Sequence, residues 1–218
     1  MWILAVSDPA ITPLAARLAA HPHRPAVALH CAGRLDQAAL APLAGIALGS
    51  LHPLQALGDD PGALRGCFCG IEGDAPAREA ALALVRAFGG QAVQIPAGEK
   101  AAWHAAAVLS ANFVATLTGG GVALLAALGI DEARARALLV PLLRGTIGRL
   151  KDLPAPEALT GPLARADLDA VRAHVAALQR HAPLFLPAYQ QLADTTARWL
   201  DWDAARRAAL ADALSQAP

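Results

Sequence analysis

The chain has 218 residues, 56% of them hydrophobic and 17% charged, with 18 basic and 18 acidic side chains in formal balance. That length and apolar content support one large domain or two small ones around a sizeable core, and exclude a disordered chain. Zero net charge, with no run of like charge, excludes an electrostatic footprint for nucleic acid.

Residues 2–6, WILAV, read as a short buried strand. They lack the basic flank and the apolar length of a signal peptide. Asp8 and Pro9 then suit the cap and first turn of a helix reaching about Ala20. PAVALHCAG, 25–33, is a second strand, LDQAALAPLA a short helix, and GIALGSLHPL a third strand expected to end near Ser50. GCFCGIEG is a fourth strand. A helix follows between a capping Asp74 and a glycine stop at 89 and 90, and QAVQIP is a fifth strand. Strands alternating with helices predict an α/β layer with a mostly parallel sheet.

After Pro96 no strand pattern returns. A helix opened by Glu99 and Lys100 is expected to reach about Gly129, with a bend at Gly119–Gly121. Its uncharged stretch, 101–130, is long enough to cross a bilayer. His104, Ser110, Asn112, Thr116, Thr118 and three glycines lie within it, and no basic cluster flanks it. A buried central helix of a soluble, cytoplasmic protein is therefore the expectation, with no membrane partner. Asp131 caps a second helix to about Leu150. A proline-rich loop follows, then helices near 167–179, 184–200 and 202–215. The chain divides near residue 97 into an α/β part, 1–97, and an all-α part, 98–218.

Cys31, Cys67 and Cys69 are too few for a disulfide framework, and no cysteine or histidine spacing fits zinc. They read as buried thiols of a cytosolic protein, and no metal is expected. No G-x-G-x-x-G follows a strand, so the usual pyrophosphate turn is missing; the triple glycine lies inside a helix, where close packing explains it.

Three stretches carry possible chemistry. In GSLHPLQ, the side chains of Ser50, His52 and Gln55 are expected at or beyond a strand end, where α/β sheets bind ligands. A loop histidine bonding its own turn explains His52 equally well. Lys100 and His104 are one helical turn apart, and Asn112 lies two turns beyond His104. A lysine there can protonate a carbonyl oxygen or steady the alkoxide that forms, although a solvated lysine and a core histidine explain the pair almost as well. Thr160, Arg165 and Asp167, in LTGPLARAD, could meet the substrate or a partner subunit, and the Arg165 fork could clamp a carboxylate. A glycine–proline turn and a capping Asp167 account for that loop more simply.

GSLHPLQ, IEGD, KAAWHAAAVLSANF and ALTGPLARAD, in this order and spacing, resemble a bacterial family of Rossmann-like proteins with a DUF2520 C-terminal domain. That family looks like a branch of the 6-phosphogluconate dehydrogenase-like superfamily, with 3-hydroxyacid dehydrogenases and ketopantoate reductases among its relatives. The resemblance implies a partial Rossmann-like nucleotide-binding domain with a mostly parallel sheet, followed by an all-α domain with a long central helix that often dimerises. It implies an NAD(P)H-dependent reductase of a small, ketopantoate-like keto acid. Lys100 would be the general acid, with His104 standing where the hydroxyacid dehydrogenases carry an asparagine. His104, Asn112, Ser50, His52, Gln55, Thr160 and Arg165 would meet the substrate, and Val6, Ser7, Asp8 and Gly33 the NADP. By that resemblance WILAVSD is about the fourth strand of the nucleotide domain, and roughly 70 residues of such a domain have no counterpart here. NADP binding by this chain is then expected to be weak or absent. A non-catalytic dimeric binding or scaffold protein is the alternative, and a homodimer through the 98–130 helix is expected in both cases.

Overall fold

The structure is a computed structural model and describes residues 1–58 and 60–215. It forms two compact units, one of residues 1–113 and one beginning at Val114. The strands end near residue 97 as expected, but the first part of the long helix packs with the strands.

The first unit is built on five strands: β1 (Trp2–Leu4), β2 (Val27–His30), β3 (Ala47–Pro53), β4 (Phe68–Gly73) and β5 (Gln91–Gln94). They lie side by side in chain order. β1, β2 and β3 are parallel, β4 runs antiparallel to β3, and β5 is parallel to β4. Both faces are covered, as parallel strands require. Leu29, Leu51, Cys69 and Ile71 pack under helix α2 (Ala75–Ala87) through Ala77, Ala81 and Val85. Leu4, Ala28 and Ala32 pack against Ile11 and Ala15 of helix α1 (Asp8–Ala19), and against Leu40 and Leu43.

Two local expectations change. The third strand continues past Ser50 to Pro53, because β4 folds back on it and pairs Ser50 with Glu72 and Pro53 with Cys69. Ser50 is thus mid-strand and fully buried. Asp8 is the first residue of its helix rather than the cap, which is Ser7. Residues Gln37–Leu43 wind as a 3-10 segment capped by Asp36, whose carboxylate accepts from the Ala38 N–H.

A continuous helix runs from Lys100 to Ala127. It begins as α3 (Lys100–Ala107), passes through one π turn at Val108–Asn112, and continues as α4 (Phe113–Ala127). The irregular turn lies before the glycine triplet, which stays in regular helix.

The second unit holds α4, α5 (Glu132–Asp152), the short α6 (Ala155–Ala158), α7 (Leu168–His181), α8 (Leu186–Trp199) and α9 (Ala204–Ser215). Its core is Val171, Val175, Ala193, Ala197, Trp202, Leu210, Ala213 and Leu214, so α7, α8 and α9 pack on one another. Here the expectation of a buried central helix fails. Only Gly120 of α4 is buried, where it meets the ring of Phe185 too closely for a Cβ. Leu117 is 43% exposed on α4, and Leu142 68% on α5. The three last helices satisfy each other instead of wrapping α4. The Lys100–Ala127 helix is long and apolar enough to cross a membrane, the one such helix among the described residues.

Candidate functional site in the first unit

Register places His30, Ser50 and Glu72 side by side on three neighbouring strands. Paired residues on adjacent strands project to the same face. All three side chains are buried, which is costly unless each finds partners. They find them in the loop that follows β2. His30 Nδ1 accepts from the Ala32 N–H at 3.2 Å, so Nε2 carries the proton and donates to the Asp36 carbonyl at 2.9 Å. Glu72 Oε2 accepts from the Gln37 N–H at 3.1 Å and from the Ser50 hydroxyl at 3.3 Å. This polar row therefore fixes residues 32–37 over the C-terminal end of the sheet.

Lys100 closes the same arrangement from above. It is 1% exposed, and its Nζ donates to the Ala32 carbonyl at 2.9 Å. Burial lowers its pKa to about 8, while the negative charge of Glu72, then Cys31, Asp8 and Asp36, pulls the other way. Burial pushes Glu72 up and His30 down.

One residue beyond Ala32, Gly33 brings the backbone against two imidazoles. A Cβ on Gly33 would stand 2.4 Å from His104 Cδ2 and 2.9 Å from His52 Nε2. Only glycine permits that approach. The two rings meet edge to face, with centroids 6.1 Å apart. The indole N–H of Trp103 donates to His52 Nδ1 at 2.9 Å. Burial lowers the His52 pKa to about 4, helped by the charges of Lys100 and His104.

The π turn governs the rest of the wall. Eight residues of regular α-helix would leave Asn112 about 80° around the axis from His104. A turn closed by i→i+5 bonds uses more residues per revolution and removes most of that offset. Asn112 thereby joins His104, His52, Gln55 and Ser110 around one cavity of about 520 Å³, whose remaining wall is mainly apolar. His104 also borders a second cavity of about 480 Å³, on the side of Arg34, Leu109 and Phe113.

The structure thus gathers His52, Gln55, His104 and Asn112 around one opening. Ser50 and Lys100 stand behind it, without exposed surface, and the Ser50 hydroxyl donates to Glu72. Val6 and Ser7 are exposed beyond the end of β1. Asp8 lies 3.4 Å from the Arg34 guanidinium, and Gly33 is buried under the histidines. Thr160 and Arg165 belong to the second unit, where both are exposed, near the left-handed Ala166. Trp103 and His30 escaped sequence reasoning. Trp103 reads as an apolar residue in an alanine-rich helix, and the role of His30 depends on a register that only the folded sheet reveals. No cluster of three or more metal-ligating side chains occurs among the described residues.

The fold has counterparts among solved structures. Protein TM1727 from Thermotoga maritima superposes with a TM-score of 0.74 at 23% identity, over 91% of this chain and 77% of that one. BF3122 from Bacteroides fragilis, described as a proposed NADP oxidoreductase, gives 0.75 at 19% identity, over 90% and 74% of the two chains. Pyrroline carboxylate reductase from Plasmodium falciparum, solved with NADP bound, gives 0.60 at 11% identity, over 95% and 80%. At such identities the likeness is one of fold. No curated protein matches the sequence. The family described as a domain of unknown function, DUF2520, matches residues 67–196, more than half of the chain and all of the strand–helix passage that carries Glu72, Lys100, Trp103, His104 and Asn112. The chain belongs to the DUF2520 family.

Proposed function

We propose that this chain recognises the substrate of an NADP-dependent reductase acting on a small keto acid. The observation that carries the reading is the cavity at the C-terminal end of β3, where His52, Gln55, His104, Ser110 and Asn112 converge beside a buried ammonium. Ligands of α/β sheets bind at that edge. The NADP-associated relatives of the same fold support the reaction class.

The residues present fit the substrate end of such a site, and the turn after β1 offers no pyrophosphate cradle of its own. β1 passes to α1 through Ala5–Ser7 with no glycine turn, and the first helical residue is Asp8. A carboxylate in the first helical turn opposes a second anion there, where a pyrophosphate would need positive potential. Within the chain, His52 and His104 hold a substrate oxygen, and Lys100 keeps a positive field behind them. For Lys100 to act as the general acid, its ammonium would have to leave the Ala32 carbonyl. His104, open to two cavities, is the better placed proton carrier.

The acidic first turn of α1 favours a second reading, a binding or scaffold protein that retains the cavity without turnover. In both readings the exposed apolar face of α4 and α5 is covered by a second copy of the chain. Calorimetric titration of the 218-residue protein with NADPH, followed by NADPH oxidation assays with ketopantoate and shorter 2-keto acids, separates them. Micromolar binding, on the order of −8 kcal/mol, together with turnover supports the reductase. Keto-acid binding with neither NADPH binding nor turnover supports the second reading.

A further inference from the structure

We propose that Trp103 and His52 form a fixed hydrogen-bond donor, the Nε2–H of a neutral His52, which makes the cavity select small ligands presenting an oxygen acceptor. The proposal rests on the reading of this cavity as a substrate site. It does not require that the chain turn over a nucleotide.

An indole N–H can only donate. Trp103 Nε1 lies 2.9 Å from His52 Nδ1, so Nδ1 must accept. A neutral imidazole has one N–H, and with Nδ1 accepting, that proton sits on Nε2. A protonated ring would turn a second N–H against the indole donor. Burial, Lys100 and His104 all disfavour that charged form, and Asp8, the smallest of the four influences, favours it.

Nε2 is the atom that comes near Gly33. No hydrogen bond from it to protein occurs among the described residues, and it is not one of the buried orphan atoms. It is thus a donor without a protein acceptor, at a cavity that also holds Gln55, Ser110 and Asn112. A ligand carbonyl or carboxylate oxygen satisfies it. An ammonium does not, because it would face a donor in front and the Lys100 charge behind. The apolar remainder of the wall suits a short aliphatic tail. The ligand class is therefore a small carboxylate or 2-keto acid, and Trp103 is the positioning residue that sets the tautomer.

The test uses the full chain without NADPH, so that lack of turnover does not affect the outcome. Long-range proton–nitrogen correlation spectra of 15N-labelled protein report the tautomer of His52, assigned by comparison with His52→Gln. Titration with 3-methyl-2-oxobutyrate, and separately with isobutylamine, reports the selection. The wild type should show the Nε2–H tautomer, bind the keto acid and ignore the amine. Trp103→Phe should populate both tautomers and weaken keto-acid binding about tenfold, the usual worth of one oriented hydrogen bond. An Nδ1–H tautomer in the wild type, equal binding of the amine, or no binding of the keto acid would each overturn the proposal. So would a folded Trp103→Phe protein with unchanged affinity. If that variant fails to fold, the wild-type spectrum and the two wild-type titrations decide alone.

Discussion

Lys100 donates to the carbonyl of Ala32, 68 residues earlier, and so joins the first turn of the long helix to the end of β2. The bond answers why an apolar helix opens with a lysine. A cation is poorly placed at a helix N-terminus, where the dipole is positive. Here its ammonium leaves that end and satisfies a strand-end carbonyl, beside the buried carboxyl of Glu72. The same contact holds Ala32, and hence Gly33, in the position that the two histidines require.

Lys100→Met should therefore loosen the loop rather than remove a substrate contact. The Ala32 carbonyl loses its partner, which costs on the order of 1–3 kcal/mol. Chemical denaturation should show that loss at neutral pH with helix content unchanged by circular dichroism. Keto-acid affinity should fall as well, because Gly33 and His104 shift together.

The pH dependence of that variant checks the buried charge itself. The folded-state pKa of Lys100, about 8, lies below its ordinary value of 10.5. Below pH 8 the amine is protonated in both states, and the burial penalty is present in full. Between about 8 and 10.5 the unfolded chain holds more protons, so stability contributed by this group rises with pH. Denaturation midpoints of the wild type should gain on those of Lys100→Met from pH 7.5 to 9.5. Parallel midpoints would show that the ammonium is not buried in solution.

His52 gives the opposite end of the range. Its folded pKa, about 4, is lowered from 6.5. Over that window the unfolded chain binds more protons, so stability from this group is complete above pH 6.5 and is lost as pH falls toward 4. His52→Gln should flatten part of the acid limb of the stability curve. An acid limb identical in the two proteins would assign that limb to other groups, His30 and the carboxylates among them.

Much of the frame was legible in the sequence, for reasons that can be named. The five strands announced themselves by short apolar runs between turn residues, and the last three helices by capping Asp167 and apolar spacing. The candidate site was legible in part. His52, His104, Gln55 and Asn112, which border one cavity, stand out in the sequence as polar residues beside a strand end and on an apolar helix. The end of β3 was placed too early, near Ser50, because the antiparallel return of β4, which lengthens β3, is a long-range event with no local signal. The π turn that brings Asn112 toward His104 has no composition signature either. The burial of α4 was misjudged for a different reason: apolar content reports that a surface must be covered, not by what.

Gly33→Ala should be among the most damaging small substitutions in the first unit. The added methyl would meet His104 and His52 at 2.4 and 2.9 Å, both ring atoms held by the helix and by Trp103. Overpacking of this kind costs about 1–3 kcal/mol. If the histidines yield instead, the Trp103–His52 bond breaks and the indole fluorescence changes. Unchanged stability and unchanged fluorescence would show that the approach of Gly33 to the rings is looser than the structure has it.

The apolar seam of the second unit makes the last prediction. Leu117 of α4 and Leu142 of α5 line one shallow apolar groove of about 250 Å³, together with Leu139 and Leu143. Leu138 and Ile147 extend the exposed face along α5. Contiguous apolar surface of this kind suits contact with a protein or a membrane. A second copy is the occupant that needs no further partner, and a stable dimer requires burial of about 1,600 Å² in total. The wild type should therefore sediment as a dimer at micromolar concentration. Leu117→Arg combined with Leu142→Arg should sediment as a monomer with unchanged helix content, because two charges on each copy would be buried without partners. A wild-type monomer in detergent-free buffer would remove the case for the homodimer. A protein recovered only with detergent would instead assign the Lys100–Ala127 helix to a bilayer.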